Sequence, residues 1–194
     1  MLVNVHAHAD QVREFVQTQR SGVQIQLAEE AVLLGSAGTL AANRKFVTGG
    51  REFLVLYGDV LTNTDLRELV HAHRKRKAIA MLGAYEVPDP GRCGILSVNG
   101  DAIIQSFVEK PEQPASNLAF AGVMVAGQEL FDFISEKKPA DIAFDVLPKL
   151  VGRMRALKLT DYLLDIGTME NYTAAQASWP GLWSPQQKQV VTTG

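Results

Sequence analysis

The feature that most constrains the fold is a rhythm in the first half of the chain. Short apolar runs of strand length alternate with stretches of helical spacing. Leu2 to Val5 reads as a buried strand, and Asp10 to Gln19 follows with Val12, Phe15 and Val16 on one helical face. Val23 to Ala28, "VQIQLA", alternates apolar and polar residues as a strand does. "LLGSAGTLAANRKF" predicts a glycine-rich turn that opens a helix over roughly Gly38 to Phe46. Glu52 to Tyr57 is the next strand, and Asn63 to Lys77 the next helix. Its basic end, "HRKRK", complements the helix dipole. Ala78 to Val87 is again a strand. Strand and helix alternating over short connections predict an α/β fold with a doubly wound (Rossmann-like), mainly parallel sheet.

After about residue 85 the rhythm changes. "CGILSVNGDAIIQSFVEKP" reads as two strands joined at Asn99-Gly100, a hairpin signal, and Asn117 to Ala126 contains a further strand. Short helices are expected over Glu129 to Glu136 and Phe144 to Leu150, short strands over Ala156 to Leu159 and Tyr162 to Leu164, and a helix over Thr168 to Ser178. The sequence shows no linker and no repeat. The expected organisation is one domain over residues 1–178, with a β-rich insertion at about 86–126 and a polar, loose tail at 179–194.

Composition bounds the function classes. Apolar residues make up 46% of the 194, enough for a sizeable core, and the net charge is −2. That balance argues against nucleic acid and against acidic membranes as partners. Cys93 is the only cysteine, so no intramolecular disulfide is possible, and a cytoplasmic setting is expected. No apolar run approaches the ~20 residues of a membrane span, and no secretory signal pattern is visible. The chain opens directly inside a strand, which predicts a start in mid-domain.

The strand at Glu52 stops abruptly at Gly58-Asp59, and "YLLDIGT" repeats that grammar at Asp165. In a doubly wound sheet, ligands bind beyond the carboxyl ends of the strands. Two strand-end carboxylates there suit a hard cation such as Mg²⁺, which keeps water and substrate phosphates as its other ligands. Taken singly, each aspartate reads more simply as a helix cap or turn former; the repetition of the pattern is what favours a metal site. "LLGSAGTL" offers backbone N–H groups at a helix start, suited to an anion or a nucleobase, and is neither a P-loop, lacking Gly-Lys-Ser/Thr, nor a dinucleotide fingerprint; taken alone, a close-packed turn is the plainer reading. "FVEKPEQP" places Glu109 and Lys110 at a strand end, the lysine suited to a phosphate and the glutamate to sugar hydroxyls; an exposed ion pair is the plainer reading. "HAHAD" sets His6 and His8 after a strand, as many barrel metal hydrolases begin. That reading predicts bound zinc and needs ligands from later strands. The other histidines, His71 and His73, fall on a helix expected to be basic and exposed, and such a barrel needs about 250 residues.

In order along the chain, "LVNVHAHADQV", "LLGSAGTL", "LVLYGD", "CGILSVNGDAIIQSFVEKP", "SNLAFAGVMV", "FDVLPKL" and "YLLDIGTMENY" resemble the sugar-1-phosphate nucleotidylyltransferases, and within them the short bacterial guanylyltransferases acting on mannose or heptose 1-phosphate. The resemblance implies transfer of a nucleotidyl group from an NTP to a sugar 1-phosphate, with pyrophosphate leaving and Mg²⁺ as cofactor. It implies that Asp59 and Asp165 hold the metal. Gly94, Glu109 and Asn117 would hold the sugar and Lys110 its phosphate. Leu34, Gly35, Ala37, Gly38 and Gly58 would surround the nucleotide.

Three departures bear on these expectations. The family's first strand and its loop, G-x-G-T-R followed by P-K, should precede "LVNV", and no other segment reads as a substitute. Its absence predicts impaired turnover and an unpaired sheet edge open to dimerisation. Phe120 stands where the family often has Asn, and Met169 where it often has Pro. A non-catalytic relative that binds a sugar nucleotide, or pairs with an active subunit, is the competing expectation.

Overall fold

The elements follow the predicted rhythm. β1 (Leu2–Val5), α1 (Ala9–Thr18), β2 (Gln26–Glu29), α2 (Ser36–Ala42), α3 (Arg44–Val47), β3 (Glu52–Leu56), β4 (Val60–Thr62), α4 (Leu66–Arg76) and β5 (Ala80–Glu86) form the first half. The second half contains β6 (Gly94–Val98), β7 (Ile104–Glu109), β8 (Leu118–Gly127), β9 (Met154–Lys158), β10 (Leu163–Asp165) and α5 (Met169–Ser178). The structure is a computed structural model that describes residues 1–182; the rest of the expected tail lies outside the described residues.

Boundaries shift for local reasons. The helix expected over Gly38 to Phe46 is two pieces meeting at Asn43, whose side-chain amide donates to the Thr39 carbonyl at 2.9 Å. α4 starts later than Asn63 because Asp65 caps it, accepting from the Arg67 N–H at 3.1 Å. The residues just before form β4, which the sequence reading missed. The expected helices after β8 are tighter or looser turns: 3₁₀ at Gln128–Phe133, π at Ile142–Val146 and 3₁₀ at Leu147–Leu150, where Pro148 lacks the N–H an α-helix needs. The β6–β7 hairpin is present, but its loop runs from Asn99 to Ile103, folded around an Asn99 Oδ1 that accepts from the N–H groups of Asp101 and Ile103.

β8 organises the sheet. It is apolar on both faces, as "LAFAGVMVAG" requires of a strand covered on both sides, and most of it is buried. β5 lies antiparallel along one edge. β3 takes Val123 to Gly127 of the other, and β6 pairs with it at Ala119. β9 extends the sheet parallel to β5, and β7 lies antiparallel to β6. β3, β5, β6 and β9 therefore run in one direction, and β7 and β8 in the other. This is the expected α/β, Rossmann-like fold, with β8 as its reversed strand. The β6–β7 lobe is continuous with the main sheet through β8. The ladder between β5 and β8 shifts register beside Gly122, which holds a φ of +67°. This bulge bends β8 where its neighbour changes from β6 to β3.

Two apolar layers sandwich the sheet. On one face Leu82, Met124 and Ala126 pack against Leu130, Ile142, Val146, Leu147 and Leu150. On the other, Met81, Val123 and Val125 pack against Leu69 of α4. α4 carries Leu66, Leu69, Val70 and His73 at one helical face, and His73 is buried, not exposed as expected. β1 pairs only with β2, and β3 only with β8, among the described residues. Leu54 and Leu56 of β3 are exposed.

Candidate active site

The carboxyl ends of β3 and β10 bring the two aspartates together. β10 pairs antiparallel with β4 so that Asp165 stands opposite Val60, next to Asp59, and the Ile166 N–H donates to the Asp59 carbonyl at 2.8 Å. Gly167 lies between their carboxylates: a Cβ there would meet Asp165 Oδ1 at 3.0 Å and Asp59 Oδ2 at 3.1 Å. The Gly167 N–H donates to Asp165 Oδ1 at 2.8 Å. Both carboxylates are exposed. Two solvent-exposed carboxylates fit Mg²⁺, which takes one or two carboxylates and keeps several waters. No group of three or more His, Cys, Asp and Glu suited to a metal occurs among the described residues.

Two cavities flank Asp59. The first, about 580 Å³, is lined by Met1, Leu2 and Asn4 on one side, by Gly35, Ser36 and Thr39 of the glycine-rich turn, and by β3 through to Asp59. The second, about 280 Å³, contains Asp165, Gly94, Glu109, Lys110, Cys93 and Phe120. Tyr57, Asp59 and Asp141 line both, so the cavities meet at the end of β3.

In the second cavity Gly94 stands opposite Glu109 in the β6–β7 ladder. A Cβ at Gly94 would fall 2.5 Å from Glu109 Oε2 and 2.8 Å from the Phe107 ring, so glycine gives this carboxylate its place. Burial holds the Glu109 carboxyl above its ordinary range, with Lys110 opposing and Asp141 adding. Lys110 has a φ of +49°, a conformation a non-glycine residue adopts only when its surroundings impose it. Its N–H donates to the Cys93 carbonyl at 2.9 Å. Burial and the neighbouring Glu109 raise the Cys93 thiol. Burial, with a smaller effect from Cys93, pushes Tyr85 up to about 12. Phe120 stacks edge-on against Tyr57 and Phe107, with ring centroids 5.8 and 6.3 Å away.

The glycine-rich turn is pinned from both ends. The Glu30 carboxylate is buried and accepts from the Leu34 N–H at 3.0 Å and from the Thr39 hydroxyl. Ser36 Oγ donates to Asp141 Oδ2 at 2.9 Å, and the same Asp141 caps the π turn through the Ala143 and Phe144 N–H groups. The N–H groups of Ala37 and Gly38 both donate to the Ala140 carbonyl. Those two amides are therefore spent on the protein, as a close-packed turn requires, and do not face an anion. Ala37 and Gly38 are buried, and of the expected nucleotide residues Gly35 and Gly58 line the first cavity. Leu34 is half-buried behind the turn and binds it to Ala140, its carbonyl accepting the Ala140 N–H at 2.9 Å. Asn117 sits at the exposed start of β8, its carbonyl accepting from Val87, outside the second cavity's lining.

Sequence reasoning missed Glu30, Ser36, Tyr57 and Asp141. Ser36 and Tyr57 lie inside quoted motifs. Asp141 meets Ser36 across 105 residues and carries no local signal. The Tyr57 hydroxyl is shielded from solvent without a hydrogen bond of good geometry; burial raises its pKa, with Asp141 adding to the rise and Ser36 opposing it. Nothing among the described residues supports the zinc reading: no group of three or more His, Cys, Asp and Glu gathers there, and neither His6 nor His8 lines the cavities around Asp59.

The sequence profile of the family described as Nucleotidyl transferase matches residues 1–180. The chain belongs to this family. The mannose-1-phosphate guanylyltransferase catalytic subunit beta of Drosophila pseudoobscura pseudoobscura is 29% identical over 92% of this chain and 49% of its own length. The chain spans about half the length of the curated relatives it matches. Among solved structures, HddC from Yersinia pseudotuberculosis superposes with a TM-score of 0.77 at 22% identity, over 92% of this chain and 77% of that one. The same protein has also been solved complexed with GMP-PN, with the same TM-score, identity and coverage. At this identity the likeness speaks for the fold of the nucleotidyl transferase, not for its substrate. Within the described residues, no helix of this family member is long and apolar enough to cross a membrane.

Proposed function

We propose that this site transfers a nucleotidyl group from a nucleoside triphosphate to a sugar 1-phosphate, and that the full protein acts in the cytoplasm as a guanylyltransferase on a mannose- or heptose-type sugar. The observation that carries the reading is the meeting of two cavities at Asp59, with Asp165 facing it across Gly167. The first cavity takes the nucleoside between β1, the glycine-rich turn and β3. The second takes the sugar phosphate, Lys110 at its phosphate and Glu109 at its hydroxyls. A phosphate oxygen of the sugar 1-phosphate bonds to the α-phosphorus. The bond from that phosphorus to the bridging oxygen breaks, and pyrophosphate leaves with the electron pair. Asp59 and Asp165 would hold Mg²⁺, which when bound neutralises phosphate charge. The chain's own contribution is positioning: Gly94 leaves room, Lys110 is fixed by its backbone, and Phe120 shapes an apolar wall.

Among the described residues no Lys or Arg side chain lines the first cavity, while Asp59 and Asp141 do. A triphosphate there would lack a basic side chain to pair with, so we expect slow turnover by this chain. The same observation favours a second reading, a chain that binds a sugar nucleotide without turning it over. The open edge of β3 is where we expect a second copy to pair; its exposed Leu54 and Leu56 also line the first cavity, so such pairing competes with a nucleotide there. Pyrophosphate release with Mg²⁺, the common NTPs and mannose, glucose or heptose 1-phosphate tests the catalytic reading. Release with a guanine nucleotide, lost in Asp59→Asn, supports it. Binding of GDP-sugar without any release supports the second reading and sinks the first.

A further inference from the structure

The shared direction of β3, β5 and β9 creates an opposite edge as well. The cavities lie beyond the carboxyl ends of these strands; the amino ends of β5 and β9 lie at the far side of the sheet. There a concavity of about 400 Å³ is lined by Arg76, Lys77, Arg153 and Arg155 and, among the described residues, by no carboxylate. Arg76 Nη1 donates to the Asp101 carbonyl at 2.9 Å, and Arg155 Nη1 donates to the same oxygen. Two guanidinium groups thus converge on one neutral acceptor. Neither they nor Lys77 nor Arg153 forms an ion pair among the described residues, whereas Arg74, on the same helix end, pairs with Glu52.

These cations are held on rigid elements. Arg155 stands in the β5–β9 ladder opposite Met81 and is bridged to Ile103. The Arg153 guanidinium lies over the Phe133 ring, 5.7 Å from its centroid. Lys77 ends α4 in a left-handed conformation, its N–H bonded to the His73 carbonyl. The helix dipole accounts for the basic run at the end of α4. It does not account for Arg153 and Arg155, which arrive from another element. Like charges fixed together with no ion pair, and only the exposed Asp101 nearby to offset them, repel, and an anion relieves that cost.

We infer that this edge binds a phosphate-bearing small molecule. Guanidinium groups match phosphate oxygens in pairs, and the concavity is the size of a small ligand. A chain of net charge −2 lacks the broad positive field that gathers nucleic acid. The site is distinct from the carboxylate pair: the seven residues of β5 alone span about 20 Å between the two edges. It does not rest on the catalytic reading.

The test uses inorganic pyrophosphate with a chelator present, so that no divalent cation carries it to Asp59 and Asp165. Amide shifts of the full chain are followed by NMR. Saturable shifts at residues 76–77 and 152–155 are expected. The double variant Arg76→Gln/Arg155→Gln should weaken binding by about tenfold or more. Asp59→Asn/Asp165→Asn should leave it unchanged. Arg153→Gln, at an exposed position, gives the same test if the double variant loses the native spectrum. No shifts at these residues at millimolar pyrophosphate, or shifts that survive the arginine variants, overturn the inference. A duplex oligonucleotide that binds more tightly and displaces pyrophosphate overturns the small-molecule class.

Discussion

Replacing Gly167 by alanine tests how closely the two carboxylates must approach. The added Cβ would stand 3.0 Å from Asp165 Oδ1 and 3.1 Å from Asp59 Oδ2, tight enough that the oxygens must yield by a few tenths of an ångström. Gly167 does not have a positive φ, so its backbone accepts alanine. The change should leave stability within about 1 kcal/mol, because lost unfolded-state entropy offsets the crowding. Chemistry is less forgiving. A misplacement of about 1 Å costs roughly a hundredfold in rate, so a few tenths predict a loss of about threefold to tenfold. The Mg²⁺ concentration for half-maximal rate should rise with it. The assay is pyrophosphate release over a Mg²⁺ titration, with a thermal melt of the same sample. An unchanged rate and an unchanged Mg²⁺ requirement in a folded Gly167→Ala protein would refute the shared-cation geometry.

Other consequences are as direct. Gly35 has a φ of +77°, and a Cβ there would lie 2.3 Å from the Ala140 carbonyl oxygen, so Gly35→Ala should cost about 2 kcal/mol or more in urea unfolding. A cost under about 0.5 kcal/mol would show that the turn is not pinned as described. Glu109 is held above its ordinary value of 4.5, so the folded chain binds more protons than the unfolded chain above that value. Stability should then fall as pH rises from the ordinary carboxylate value through the raised one, and Glu109→Gln should flatten that fall in melts recorded across the window. A wild type and variant with parallel pH dependence contradict it. The raised Cys93 thiol should react slowly with iodoacetamide at mild alkaline pH, and a sugar 1-phosphate should slow it further because Cys93 lines the second cavity. Fast labelling that no sugar phosphate affects counts against that placement.

Much of this was legible in the sequence because it is locally encoded. An apolar run that stops on Gly58-Asp59 states both a strand and its exposed end. Asp165 repeats the statement, but what sets it beside Asp59 is the antiparallel pairing of β10 with β4, a strand the sequence did not announce. Glu109 and Lys110 were legible for the same reason. What the sequence hid is long-range. The Ser36–Asp141 bond spans the chain, and the Ala140 carbonyl that consumes the Ala37 and Gly38 amides belongs to a segment with no strong local pattern. The bulge at Gly122 shows only as one glycine in an apolar run. It nevertheless decides that β8 pairs with β3 on one side of the bend and β6 on the other. His73 was a readable miss. Its spacing from Leu66, Leu69 and Val70 puts it on the buried stripe of α4, and the basic run around it drew attention to the wrong face.

The central claim is that Asp59 and Asp165 together hold a divalent cation where the two cavities meet. Mn²⁺ in place of Mg²⁺, added with a GDP-sugar, reports this by paramagnetic broadening in the NMR spectrum. Broadening centred on residues 59 and 165–167, and abolished in both Asp59→Asn and Asp165→Asn, is the result the account predicts. Broadening centred elsewhere, or unchanged in both variants, would contradict it.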